Sequence, residues 1–124
     1  MMTIFAVVLG AVIGSVIRAS AERQLHHRVH MIHFPVAIFI INSIGSLFGG
    51  IVLATTDGNM RVLLLTGLAG SLTTFSGWAH AISFEFYRKK GAGTAMASLW
   101  VVGAVLLSLV TAMVLAWVGW MIGS

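Results

Sequence analysis

Residues 62–84 read VLLLTGLAGSLTTFSGWAHAISF, an apolar run that carries no charge yet is crowded with glycines and hydroxyls. Its length suits a membrane span, which takes about 20 helical residues to cross roughly 30 Å of hydrocarbon. The neighbouring stretches repeat the pattern. Residues 1–17, 34–56 and 91–124 also lack Asp, Glu, Lys and Arg, and charges fall only at 18–28, 57–61 and 85–90. Of the 124 residues, 59% are hydrophobic and 8% charged, whereas an ordinary soluble domain carries about 25% charged residues. A soluble fold has no support here. A transmembrane barrel would alternate polar and apolar positions, and these runs are apolar on all sides. The expectation is an all-α membrane protein of one domain, with four transmembrane helices over about 3–19, 34–55, 61–86 and 94–121.

Local signals place the ends. The first run is short, but Arg18 can snorkel from its end to the headgroups. Pro35 suits the first turn of helix two, and Asp57, Gly58 and Asn59 form a tight turn into helix three. Arg88, Lys89 and Lys90 close helix three, where basic side chains favour the negative end of the helix dipole. Gly10 and Gly14 in helix one, and Gly45 and Gly49 in helix two, stand four apart and allow close helix approach in lipid. Ordinary helix packing explains them. The absence of cysteine excludes disulfides and thiolate metal sites. A cleavable signal peptide puts its positive charge before the apolar run, whereas Arg18 follows it. The net charge of +4 sits beside the spans, so the lipid bilayer and its anionic headgroups, not nucleic acid, are the expected partner.

Polar groups inside a span are expensive and so mark function. Gly67, Gly70 and Gly77, with Ser71, Thr73, Thr74 and Ser76, make a poor uninterrupted helix in the middle of helix three. Two readings stay open. The helix breaks there and exposes carbonyls and N–H groups to ions, or it stays intact while its hydroxyls bond back to their own carbonyls. In helix two, Asn42 and Ser46 share a face. The Asn42 amide can donate to an anion, although an interhelical hydrogen bond is the commoner use of such a residue. Helix four adds Ser98, Ser108 and Thr111. His26, His27, His30 and His33, with Glu22 the one acid near them, read as a solvated interfacial loop and not a metal site. His80 reads as an interhelical hydrogen-bonding group. No nucleophile has a base beside it, so an enzyme is not expected.

At Gly70, Ser71, Leu72, Thr73, Thr74, Phe75 and Ser76 the chain resembles the Fluc/CrcB fluoride channel family, whose third helix carries a Gly-Gly-Leu-Thr-Thr-Phe-Ser-Thr-Phe signature. Gly14 with Arg18 matches the family's helix-one pair, and Asn42 with Gly45 its helix-two motif. The resemblance implies an antiparallel, dual-topology-type dimer in the cell membrane, with two fluoride pores at the subunit interface. It implies a structural Na⁺ held at the dimer centre by the backbone carbonyls of Gly70 and Thr73. It assigns the fluoride path to Asn42, Phe75, Ser76, Trp78 and Ser108, with Arg18 and Gly45 structural. Fluoride enters acidified cells as HF and dissociates inside, so a passive anion path suffices for export. Three positions depart from the pattern: Trp78 replaces a second phenylalanine, Ile38 a threonine, and Ala81 a glutamate.

Two other functions compete. A small multidrug-resistance transporter also has four helices but needs a carboxylate in helix one, and residues 1–17 contain none. An accessory subunit that does not conduct without a paralogous partner is the other. It gains weight from charge. With four spans, one side of the membrane would hold Arg18, Arg23, Arg28, Arg88, Lys89 and Lys90, and the other only Arg61. The positive-inside rule then puts both three-and-four and one-and-two connections in the cytoplasm. One fixed orientation, and an oppositely inserted partner of different sequence, is the resulting expectation.

Overall fold

The computed structural model describes residues 1–28 (backbone alone at 26–28), 36–73, 79, 82–83, 86–87 and 94–124. Among them every regular element is helical: α1 (Met2–Arg28), α2 (Val36–Thr55), α3 (Gly58–Arg61), π1 (Val62–Ala69), α4 (Gly70–Leu72) and α5 (Thr94–Gly123). Three helices among the described residues are long and apolar enough to cross a membrane: Met2–Leu25 within α1, all of α2, and all of α5. The segments α3, π1 and α4 follow one another without a gap and form a third rod.

The first helix is longer than its charge-free run. It continues through Arg18 to Arg28, so His26 and His27 belong to its last turn and not to a loop. The reason lies partly in Arg18, whose guanidinium meets the Glu22 carboxylate at 2.7 Å one turn on. An i,i+4 pair of this kind supports a helix. Arg18 is therefore engaged along the helix at 16% side-chain exposure. His30 and His33 lie outside the described residues.

The third rod starts from a tight corner. Gly58 has φ +58, a backbone conformation that glycine adopts without steric penalty. Arg61 secures the corner by donating from Nε to the Thr56 carbonyl at 2.6 Å and pairing with Asp57 at 2.7 Å. Residues Val62–Ala69 are then wound as a π-helix, a form that is rare and frequent at functional sites.

Small residues decide which helices touch. Gly10 and Gly14 of α1 meet Leu63, Gly67 and Leu68 of the third rod. Gly119 and Gly123 of α5 meet Leu47 and Ala54 of α2, and Gly50 of α2 meets Ala116 of α5. In both pairs the contact advances in the same direction along the two chains, so α1 runs parallel to the third rod and α2 parallel to α5. Gly45 and Gly49 of α2, in contrast, meet Thr73 and Leu65 in reverse order, so the two pairs are antiparallel to each other. Side chains that are buried are modest in size: Ala6, Ile41, Val52, Ala69, Ile82, Ala97 and Ala104. Large apolar groups point outward instead, such as Leu99 at 71% and Met113 at 74% exposure on α5. In water this would be an aggregating surface; in a bilayer it is the lipid-facing one. Backbone proximity through small residues, and not a core of large side chains, holds such a bundle together.

Candidate functional site

The regular third rod ends at Thr73, which has φ −88 and ψ 128, an extended conformation directly after the α-turn Gly70–Leu72. Its N–H and its hydroxyl both donate to the Ala69 carbonyl, each at 3.0 Å. Ser71 donates to the Leu68 carbonyl at 2.9 Å. The described hydroxyls, Ser71 and Thr73, bond back to their own backbone, and Thr73 itself is extended; Thr74 to Trp78, which would tell a broken helix from an intact one, lie outside the described residues. The carbonyls of residues 70–73 are the last of the described part of the rod. The donors they would meet in a continuing helix are residues 74–77, outside the described residues.

This end of the rod is gripped from two sides. On one, Gly14 of α1 faces the Ser71 hydroxyl, and a Cβ there would stand 2.6 Å from the Leu68 carbonyl oxygen. On the other, a Cβ at Gly45 of α2 would stand 2.7 Å from the Thr73 Cγ2. The glycines expected in helices one and two as packing residues thus close directly on the polar cluster of helix three. Arg18 lies one turn beyond Gly14, and Asn42 three residues before Gly45. Asn42 is half-buried, and its carbonyl accepts the Ser46 hydroxyl at 2.9 Å.

A groove of about 610 Å³ opens beside this turn between α2, the third rod and α5, with Gly45, Gly70, Thr73, Trp117 and Trp120 in its wall. Gly70 is exposed, and among the described residues a Cβ there would meet only the Leu65 carbonyl oxygen, at 3.6 Å. On the α5 side, Ile82 and Ala104 form a buried apolar cluster, with Ile38, Trp100, Val101 and Val105 packed against it. Ile38 is therefore an apolar packing residue one turn before Asn42. One turn past Ala104, the Ser108 hydroxyl is buried with no hydrogen-bond partner among the described residues. A buried orphan of this kind calls for an explanation, an unseen ligand being one.

Residues 5–120 match the family described as CrcB-like protein, Camphor Resistance (CrcB). The chain belongs to that family. It is similar to proteins named "Fluoride-specific ion channel FluC" from several organisms. The one from Roseiflexus sp. is 39% identical over 103 residues, 78% of this chain and 79% of that protein. The Aquifex aeolicus protein is 36% identical over 92 residues, 69% of this chain and 73% of its own length. The Methylobacillus flagellatus protein is 34% identical over 125 residues, 96% of this chain and 92% of its own length. These relatives are ion channels and not enzymes.

Within the CrcB frame, the structure brings the three motifs together: Gly14 of helix one against Ser71, and Gly45 of helix two against Thr73. Ser108 sits apart from that contact, near the Ile82–Ala104 cluster. Phe75, Ser76, Trp78, His80, Ala81 and Glu85 lie outside the described residues. Ser71 was read from the sequence as one hydroxyl of the helix-three cluster, without its contact to Gly14. The π-winding before it was not foreseen. The donor set at Gly70 and Thr73 is chemically suited to a hard cation. Both residues lie in the groove wall, and the described residues lining it include no lysine or arginine.

Proposed function

We propose that the chain is one subunit of a fluoride-selective, passive ion channel that releases fluoride from the cytoplasm across the cell membrane. The observation that carries this reading is the turn at Thr73. There an extended, glycine-flanked threonine ends the described part of the rod beside a groove, in a chain of a family whose named relatives are fluoride channels. A backbone that leaves the helix at membrane depth must be covered by protein or line a wet cavity. A second subunit lying antiparallel over the groove would cover it and would give two ion paths at the interface.

In that dimer the backbone carbonyls of Gly70 and Thr73 would hold a structural Na⁺, and the ion would supply positive charge to offset their dipoles. Fluoride is small and strongly hydrated, so its path needs donors to replace water. Asn42 offers an amide N–H, Ser76 and Ser108 offer hydroxyls, and Phe75 and Trp78 offer electropositive ring edges. Arg18 and Gly45 support the path without touching the ion. The chemistry is passive transfer, with no bond made or broken. Fluoride and chloride efflux from liposomes holding the functional dimer tests it. Rapid loss of fluoride with retention of chloride is expected, and equal loss of both ends the assignment.

The second subunit is identical or a paralogue, and charge favours the paralogue. Because α1 runs parallel to the third rod, the end of α1 that carries Arg23 and Arg28 lies opposite the end marked by Arg61. With Arg88, Lys89 and Lys90 in the connection to α5, the basic residues gather on one side, which the positive-inside rule assigns to the cytoplasm. An antiparallel pair made of one sequence needs both insertions, and this imbalance opposes the second. A partner of different sequence, inserted the other way, meets the requirement. Ile38 agrees with it, because its apolar packing leaves no hydroxyl at that point of one path.

A further inference from the structure

We propose that Gly45 is a positioning residue that sets where the third rod leaves the helix, by acting as the seat for the Thr73 methyl group. This rests on the channel reading only for its consequence in flux; the packing stands without it.

The geometry begins at Ala69. Its carbonyl accepts both the N–H and the hydroxyl of Thr73, each at 3.0 Å. A threonine has one free torsion in its side chain, and its two branches stand at fixed angles to each other. With Oγ1 held on Ala69, the direction of Cγ2 is settled, and that direction is α2. There Cγ2 meets Gly45, so closely that an added Cβ would stand 2.7 Å away, with the Leu72 Cβ at 3.5 Å and the Thr73 nitrogen at 3.8 Å. Real Cβ atoms do not approach a methyl at that distance, so something must give. Rotating the methyl away breaks the hydroxyl bond to Ala69. Keeping that bond moves the Thr73 backbone, and the carbonyl that follows the last helical turn moves with it. Retreat toward α1 is blocked too, because Gly14 already closes on Ser71 and Leu68. The turn is held between two glycine floors, and only Gly45 bears on the residue whose ψ departs from the helix.

Gly49 gives the contrast. It lies one turn along the same face, but a Cβ there would meet the Leu65 Cδ1 at 3.4 Å and the Ala69 Cβ at 3.7 Å. Those are contacts that a flexible leucine end can accommodate.

The two atoms in conflict can be removed separately. Gly45→Ala adds the Cβ, while Thr73→Ser deletes Cγ2 and keeps the hydroxyl that bonds Ala69. The full-length single and double variants are compared with the wild type, assembled as it is in cells. The readouts are fluoride efflux and residue-level hydrogen exchange of the Thr73 amide. Gly45→Ala is expected to slow efflux by about tenfold, the scale of a single overpacked methyl. It should speed Thr73 exchange by a similar factor, about tenfold, by weakening the bond to Ala69. The Gly45→Ala/Thr73→Ser double is expected to recover most of both losses, whereas Thr73→Ser should not improve Gly49→Ala. Effects that simply add in the Gly45→Ala/Thr73→Ser double overturn the proposal, as does unchanged Thr73 exchange in Gly45→Ala. If the wild type itself passes no fluoride, the channel reading fails, and the exchange measurements alone decide the positioning role.

Discussion

A Cβ placed on Gly67 would stand 2.9 Å from the Cα of Gly10, so α1 and π1 meet backbone to backbone at these two residues. The neighbours repeat the contact, with the Val7 carbonyl oxygen at 2.9 Å and the Ala11 nitrogen at 3.2 Å from the same added atom. Neither carbonyl nor backbone nitrogen can rotate aside as a side-chain end can. Gly67→Ala should therefore destabilise the fold by about 1–3 kcal/mol. Gly103→Ala is the matched control, because nothing lies within 4 Å of its added atom. It should be neutral or more stable by roughly 0.5–1 kcal/mol, as expected for replacing a helical glycine. Thermal unfolding in detergent would show the contrast, and equal midpoints would refute it.

Ser108 separates stability from transport. Its hydroxyl is buried without a partner among the described residues, and removing an orphaned polar group costs little and can stabilise by about 1 kcal/mol or more. Ser108→Ala should hold or raise the unfolding midpoint while slowing fluoride efflux. A variant that loses stability and keeps wild-type flux would place Ser108 in packing alone.

Asn42 and Phe75 are expected to face the ion. Asn42→Asp puts a negative charge in the way of an anion, and Phe75→Ile removes the electropositive ring edge. Each should lower efflux by about tenfold or more while the protein stays folded, the scale of one lost charge-assisted contact. Wild-type efflux in either variant would remove that residue from the path.

The carbonyls of Gly70 and Thr73 suit a hard cation of small radius. Exchange of Na⁺ for N-methylglucamine should lower the midpoint at which the dimer comes apart, and returning Na⁺ should restore it. Indifference of the dimer to the cation, followed by size-exclusion chromatography, would rule the site out.

Charge predicts a single orientation. With Arg18 set aside in its pair with Glu22, Arg23, Arg28, Arg88, Lys89 and Lys90 still oppose Arg61 alone. A C-terminal tag on the chain expressed by itself should be reachable from outside the cell and not from the cytoplasm. The lone chain should also pass less fluoride than it does with an oppositely inserted relative. An even split of orientations with full flux from the lone chain would show that one sequence suffices.

Hydropathy and charge determined much from sequence alone. Whether a stretch can cross a bilayer depends on a local sum of transfer energies, so the apolar character of α1, α2 and α5 was legible residue by residue. The corner at Asp57 and Gly58 was legible for the same reason, being a local backbone preference. The motif around Gly70 and Thr73 pointed to the family without any fold. Tertiary structure decided the rest. No hydrophobic gradient in lipid tells one apolar helix which neighbour to choose, so the pairing of α1 with the third rod and α2 with α5 depends on where small residues coincide across helices. Gly10 and Gly67 share a contact although 57 positions separate them in the chain, and neither glycine alone predicts the other. The Arg18–Glu22 pair that supports the length of α1 is local, four positions apart on one helix. The approach of Gly14 to Ser71 and of Gly45 to Thr73 joins atoms on different helices, and a single sequence read along its length does not contain such relations.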